Sequence, residues 1–307
     1  MIVIIVNLNT GYLALSLPDF LQDTPHHTIA MLRVHRVLAM LFAGVAIPTA
    51  GFLLQEYFQN PLAGPSVLGI SSVASLSVAV FIFFSHQWVL PEILQSGFMS
   101  ITAILGSLGL MLILILYAHR FQDASFLIIF GFLVSALAGA IISFLQLYAE
   151  NQSLKNYILW SFGANNQLDT YQIIILFSCM MLGLVFAFKS IKPLIGNSLG
   201  TAYAQSFGVN LKRLRLYIII ASSVLSASVT AFLGPILFIG IVVPHFSRMV
   251  FNPALLWQQW LLNMLIGILV LQIFSIISEL MSMPLNVITS LFGIPVILTM
   301  MMKRKTT

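Results

Sequence analysis

Charge is what this sequence has least of. Only 7% of its 307 residues are Asp, Glu, Lys or Arg, against 60% hydrophobic, whereas an ordinary soluble domain carries about 25% charged residues. So few charges cannot clothe a water-soluble surface, and the chain reads as an all-α integral membrane protein. Alternating apolar and polar segments are also lacking. The apolar runs are long and continuous, which favours helices over a closed barrel. Cysteine occurs once, at Cys179. That excludes an intrachain disulfide, and its apolar setting reads as a buried membrane thiol. There is no glycine-rich phosphate loop. Lys189 precedes Ser190 without the leading glycines, so nucleotide hydrolysis by that route is excluded. No set of His, Cys and carboxylates has metal-ligand spacing, so neither a metal nor another cofactor is expected on this chain. The net charge of +5 is not gathered into a soluble face, so no nucleic-acid partner is expected.

What the sequence has instead is apolar length. At roughly 20 residues per span it holds about nine to ten transmembrane helices in one transmembrane domain, residues 1–307. Residues 1–6 are too short to span, and 1–36 read as a short first apolar segment and an outer connection. A signal peptide is not expected, because no basic residue precedes the apolar run. Residues 37–147 form a first helical half, 192–215 a polar loop, and 217–305 a second half. Spans are expected at 37–58, 67–84, 98–118, 126–147, 172–188, 217–232, 260–277 and 287–302. Residues 150–171 read as a polar connection. The two halves share a layout, each with a proline-broken motif near its first turn-back, which suggests an inverted internal repeat.

Three motifs punctuate the runs. The first is Asn60-Pro61-Leu62-Ala63-Gly64-Pro65-Ser66-Val67-Leu68-Gly69-Ile70-Ser71-Ser72, a broken segment leading into a serine-rich helix. The second, Gly200-Thr201-Ala202-Tyr203-Ala204-Gln205-Ser206-Phe207-Gly208-Val209-Asn210, has room for two helical turns at 201–207. A left-handed cap is expected at Gly208 and an N-cap at Asn210. Lys212, Arg213 and Arg215 follow. The third runs from Gly234-Pro235 through Gly240 to Pro244-His245-Phe246-Ser247-Arg248. It reads as two membrane elements meeting at Gly234-Pro235, the second leaving the bilayer at His245 and Arg248. Gly131, Ser135, Gly139 and Ser143 lie on one helix face, either as a helix–helix seam or as a wall of a path.

The charges fix an expected orientation. With the C-terminal tail in the cytoplasm, ten Lys and Arg fall inside: Arg120, Lys189, Lys192, Lys212, Arg213, Arg215, Arg248, Lys303, Arg304 and Lys305. Only Arg33, Arg36 and Lys155 fall outside. That follows the positive-inside rule. Arg33 and Arg36 share a helix face. They read either as interface arginines or as ion-pairing partners for an incoming protein.

Together, the three motifs resemble those of the FecCD-type permeases, the membrane subunits of bacterial ABC importers for iron-siderophores, haem and cobalamin. The resemblance covers about residues 33–305. It implies a bacterial inner-membrane, multi-pass permease and not a catalyst, working as a homodimer or pseudo-symmetric heterodimer with the path between the copies. It implies two further partners, an ATPase subunit and a soluble substrate-binding protein. ATP would act through the ATPase subunit, whose contact would be Gly200, Thr201, Ala202, Ala204, Ser206, Phe207, Gly208, Val209 and Arg213. The family's Arg-Leu-Pro-Arg stretch, here Arg33-Val34-His35-Arg36, would meet the binding protein. Asn60, Pro61, Gly69, Ser71, Ser72, Gly234, Pro235, Gly240, Pro244, His245 and Arg248 would belong to the path or its framework. Trp160-Ser161-Phe162-Gly163 matches a further family feature. The chain departs from the pattern where Gly64 and Thr201 replace acidic residues, and where Glu279 stands near an arginine of some members. A charge-poor path suits a bulky chelated metal complex better than a bare ion, in the order iron-siderophore, haem, cobalamin. The alternative is a secondary transporter driven by an ion gradient, for which Glu56 is the one carboxylate near a span. An intramembrane enzyme is disfavoured, since His86, His119 and His245 come with no nucleophile or metal-ligand pattern.

Overall fold

The computed structural model describes residues 2–22, 24–85, 92–118, 124–163, 168–251 and 253–303. Among these it forms thirteen helices and no strand. They are α1 (Ile2–Asn9), α2 (Leu17–Leu21), α3 (His27–Phe58), α4 (Ile70–Phe84), α5 (Glu92–Ala118), α6 (Ala124–Tyr148), α7 (Asn151–Ser161), α8 (Thr170–Ser198), α9 (Thr201–Ser206), α10 (Leu211–Leu233), α11 (Ile239–Val250), α12 (Leu256–Met281) and α13 (Leu285–Lys303). Six are long and apolar enough to cross a membrane: α3, α6, α8, α10, α12 and the 97–117 stretch of α5. Three shorter apolar helices, α4, α11 and residues 285–299 of α13, accompany them. The expected count of nine to ten is met among the described residues.

Helix α3 is the axis. Its most apolar stretch is almost wholly buried, whereas that of α6 is largely exposed. Small residues let neighbours close in on it. Gly44 meets the backbone of Gly267 and Ile268 on α12, and a Cβ at Gly51 would run into the Gly240 carbonyl on α11. Such close approach is the usual basis of helix association in lipid, where apolar burial gives no net drive between helices. The polar contacts fix directions. Gln272 donates to Val37 O at 2.9 Å, and Trp260 Nε1 donates to Thr49 Oγ1 at 3.1 Å, so α12 is antiparallel to α3. His35 Nδ1 lies 2.8 Å from Leu168 O, just before α8, and Asn197 reaches Tyr57 O, so α8 is parallel to it. Arg215 Nε donates to Tyr57 Oη at 2.7 Å, which sets α10 antiparallel to α3. The runs α3–α4 and α10–α11 therefore repeat a long helix, a broken turn and a short helix, starting from opposite ends of the bundle.

Four boundaries differ from those read in the sequence. The first span begins at His27, not at Val37. Arg33 and Arg36 made residues 27–36 look like a polar connection, but Glu279 pairs with Arg36 and backbone carbonyls of the N-terminal stretch accept from Arg33. Residues 150–171 contain α7, whose Ser153, Tyr157 and Trp160 are buried. Helix α8 continues past Phe188 and through Pro193 to Ser198, so 192–198 are helix and only 199–210 make the connection around α9. Helix α12 runs to Met281 before a turn at Ser282, whose φ is +51°. His86, His119, Arg120, Asp123, Arg304 and Lys305, to which the sequence assigned loops or the tail, lie outside the described residues.

Candidate functional site

Two of the sequence motifs meet in space. Gly64 and Pro65 of the first abut Gly240 and Ile241 of the third. A Cβ at Gly64 would come within 2.8 Å of Ile241 Cγ1, and one at Gly240 within 3.0 Å of Pro65 Cδ. An acidic side chain at position 64 would have to displace Ile241. In the first motif, Asn60 Oδ1 accepts from Leu62 N at 3.0 Å, which turns the chain through Pro61. Gly69 is left-handed, with φ +79°, and starts α4. Ser71 is buried within 3.4 Å of Ser226 Oγ and 3.3 Å of Thr230 Oγ1 on α10; Ser72 is half-buried.

The third motif is a hinge between α10 and α11. Gly234 has φ +73° and Phe238 φ +65°. A left-handed non-glycine residue costs about 1–2 kcal/mol, and here Phe238 seats its Cβ against Gly293 of α13. Gly234 packs on the Trp160 carbonyl and on Gly163, which places Trp160–Gly163 beneath the same turn. Asn286 of α13 donates to Ser161 O at 2.7 Å. These pieces border an open apolar cavity of about 550 Å³, lined by Phe162, Pro235, Leu237, Ser290, Leu291 and Ile294 among others. Pro244 lies buried inside α11 without ending it, and His245 is half-buried. Ser247 donates to Asn263 Oδ1 on α12 and accepts from Gln259 Nε2 at 2.6 Å. Arg248 pairs with Glu56 at 2.5 Å.

The second motif folds as its turn chemistry dictates. Gly200 (φ +107°) opens α9, Gly208 (φ +77°) closes it, and Asn210 Oδ1 accepts from Arg213 N at 3.1 Å. Ala204 is fully buried on the α8 side, near Gly196, and half-buried Val209 packs there too. Ala202, Ser206 and Arg213 are exposed, and Phe207 is 73% exposed. Tyr203, 64% exposed, belongs with Phe207 and was not singled out from the sequence. An aromatic at the third position of a short capped helix was the available signal.

Arg33 and Arg36, the pair that the resemblance assigned to a binding protein, are both engaged within the chain. Arg33 is buried and donates to Leu13 O at 2.7 Å, with Leu8 O and Asn9 O at 3.4 Å. Arg36 pairs with Glu279 at 2.6 Å and donates to Asn7 O and Thr10 O. The N-terminal stretch covers both, itself anchored by Asn7 to Gln272. In that stretch Asp19 accepts from Ser16 N, Ser16 Oγ and Thr24 Oγ1, and these donors, Thr24 first, hold its carboxyl down at about 2. The small-residue face of α6 divides. Gly131 and Ser135 meet the 66–69 turn, while nothing stands within 4 Å of a Cβ at Gly139, and Ser143 bonds its own helix.

The model of the FecCD transport family matches residues 1–303. The chain is 29% identical over 308 residues to the hemin transport system permease protein HmuU of Yersinia pestis, covering 97% of this chain and 91% of that one. It is 30% identical over 305 residues to the vitamin B12 import system permease protein BtuC of Vibrio parahaemolyticus, covering 97% and 89%. An uncharacterized ABC transporter permease of Bacillus subtilis, YvrB, is 31% identical over 286 residues, covering 90% and 79%. A solved structure described as an inward-facing metal-chelate type ABC transporter superposes with a TM-score of 0.84 at 24% identity, covering 98% of this chain and 95% of that one.

Proposed function

The chain belongs to the FecCD transport family of ABC transporter permeases, and from that premise we propose that it is the membrane subunit of an ATP-driven importer for a chelated metal complex. The observation that carries the ATP-driven part is α9. It is a short capped helix between two spans, seated by Ala204 and presenting Tyr203 and Phe207 to solvent. Exposed aromatics on a fixed helix are the usual anchors of a protein interface. ATP binds and is hydrolysed on the separate ATPase subunit, and this chain carries no cofactor.

The substrate reading rests on the hemin and vitamin B12 relatives and on the charge-poor interior. Iron-siderophore is the first choice, then haem, then cobalamin. A soluble binding protein delivers it to the face opposite α9. With Arg33 and Arg36 covered, Lys155 on α7 is an exposed basic residue left near that face. A second copy of the chain completes the path, its seat being the exposed apolar side of α6, with Phe132, Leu133, Leu137 and Phe144. Glu56, the carboxylate that a gradient-driven carrier would have used, is tied to Arg248.

The test is recovery of the tagged chain from membranes with its companions identified by mass spectrometry. Uptake by proteoliposomes of that complex is then measured with a ferric siderophore, hemin and cobalamin in turn. Co-recovery of an ATPase and uptake of one of the three on ATP addition is the expected result. Recovery of the chain alone, with uptake that collapses when the proton gradient is removed, would overturn it.

A further inference from the structure

Gln55, Glu56 and Tyr57, in the last turn of α3, bond three other elements. Tyr57 Oη accepts from Arg215 Nε of α10 at 2.7 Å, and Tyr57 O accepts from Asn197 Nδ2 of α8 at 3.4 Å. One residue earlier, Glu56 holds Arg248 of α11 at 2.5 Å; one before that, Gln55 Nε2 donates to Ile241 O of α11 at 3.1 Å. Helices α8 and α10 are the two that flank α9. Their bonds to α3 come from the ends nearest α9: Asn197 lies one residue from the end of α8, and Arg215 is the fifth residue of α10. Helix α9 rests on the same end of α8, where a Cβ at Gly196 would come within 3.0 Å of Val209 Cγ2 and 3.7 Å of Ala204 Cα. Helix α11 leads back to the turn whose Pro235 and Leu237 line the cavity.

We infer that the last turn of α3 is the junction through which displacement of α9 reaches α11 and the cavity, with Tyr57 and Glu56 as its positioning residues. The inference rests on α9 being the ATPase contact. The physical case is that these bonds are few, polar and directional. Apolar packing slides over many near-equal states, whereas a hydrogen bond or ion pair in a largely dry setting is either made or broken. A shift of α8 and α10 by one side chain's width breaks or drags the Tyr57 contacts, and the neighbouring residues pass that shift to both ends of α11. The turn at its start already stores the strain of a left-handed Phe238.

The experiment uses the complex with its ATPase in proteoliposomes. Cys179→Ser removes the native thiol, and Leu237→Cys, at a position 36% exposed, reports on the turn. The readout is the maleimide labelling rate of that cysteine with and without a non-hydrolysable ATP analogue. In the otherwise unaltered chain nucleotide should change the rate about fivefold, the lower end of ordinary coupling between sites. Tyr57→Phe, which removes only the hydroxyl, should cut the change to below about twofold while ATPase recovery, hydrolysis and melting temperature stay as they were. Glu56→Arg and Arg248→Glu should each lose the response, and the two together should restore it, a rescue that packing alone does not give. A full nucleotide response in Tyr57→Phe, no rescue in the swapped pair, or no response in the unaltered complex overturns the junction. Failure of the ATPase to accompany the unaltered chain removes the importer reading and the junction with it.

Discussion

Replacing Arg36 by alanine takes away more than a charge. Glu279 loses its partner at 2.6 Å, and the carbonyls of Asn7 and Thr10 lose a donor. Breaking a fully buried pair costs about 3–5 kcal/mol. With the Glu279 side chain one-third exposed, about 2 kcal/mol is the expected loss for Arg36→Ala, read as a fall in melting temperature in detergent. Arg36→Leu with Glu279→Leu should recover most of it, because neither charge is then left alone. Lost binding-protein affinity with unchanged melting would instead support a docking role. The α6 stripe gives a second residue-scale outcome. Gly131→Ala drives a methyl into the Val67 carbonyl and the Leu68 backbone and should cost about 1–3 kcal/mol. Gly139→Ala meets open space in the protomer and should be neutral or gain up to about 1 kcal/mol from helix propensity. Uptake lost in Gly139→Ala despite normal melting would place that half of the stripe on the path or the second copy. Unchanged uptake would place it in lipid. Both cases show which residues the sequence could not settle. Whether an arginine is free, or a glycine crowded, depends on partners such as Glu279 and Val67, from segments that sequence spacing does not connect.

Among the elements, α9 was legible because its determinants are local. Gly200 and Gly208 allow left-handed backbone, Asn210 caps the next helix, and Ala204 spaces the short helix onto α8. The hinge between α10 and α11 was legible for the same reason, at Gly234 and Pro235. The far end of α8 was not. Lys189, Lys192 and Pro193 read as loop chemistry, yet Ile191 and Leu194 are buried and carry the helix onward. Helix α7 was missed although Ser153, Tyr157 and Trp160 recur at helical spacing on one buried face. Its polar exposed side outweighed that signal. For α9 the expected outcome is specific. Tyr203→Ala and Phe207→Ala, which touch little of the permease itself, should each weaken ATPase binding by about 2 kcal/mol, roughly thirtyfold in dissociation constant. Titration of the solubilised chain against the purified ATPase subunit checks this, and binding within twofold of the unaltered chain would show that α9 is not the contact.

At the scale of the whole molecule, the two ion pairs supply a ruler. Arg36 and Glu56 lie 56 − 36 = 20 residues apart on α3, about 30 Å at 1.5 Å per residue, which is the thickness of a bilayer's hydrocarbon core. A slab of that thickness laid along α3 would put Arg36–Glu279 at one boundary and Glu56–Arg248 at the other. Helix α3 in full is 32 residues, about 48 Å, so both its ends project beyond that slab. The described basic residues sort by these boundaries. Lys189, Lys192, Lys212, Arg213, Arg215 and Arg248 belong to the Glu56 end, while Arg33, Arg36 and Lys155 belong to the other. Each Lys or Arg at the centre of a span would cost about 2.5–3.5 kcal/mol on insertion scales, and under the reading proposed above the excess at the Glu56 end argues for that end as the cytoplasmic one. The same end carries α9, where a cytoplasmic ATPase would bind, so charge and docking geometry call for one orientation. In a Cys179→Ser background, Lys212→Cys should be labelled by an impermeant maleimide only in inside-out vesicles, and Lys155→Cys only in right-side-out ones. The reverse pattern would turn the molecule over. It would leave α9 facing away from ATP, and the importer reading would fall with the orientation.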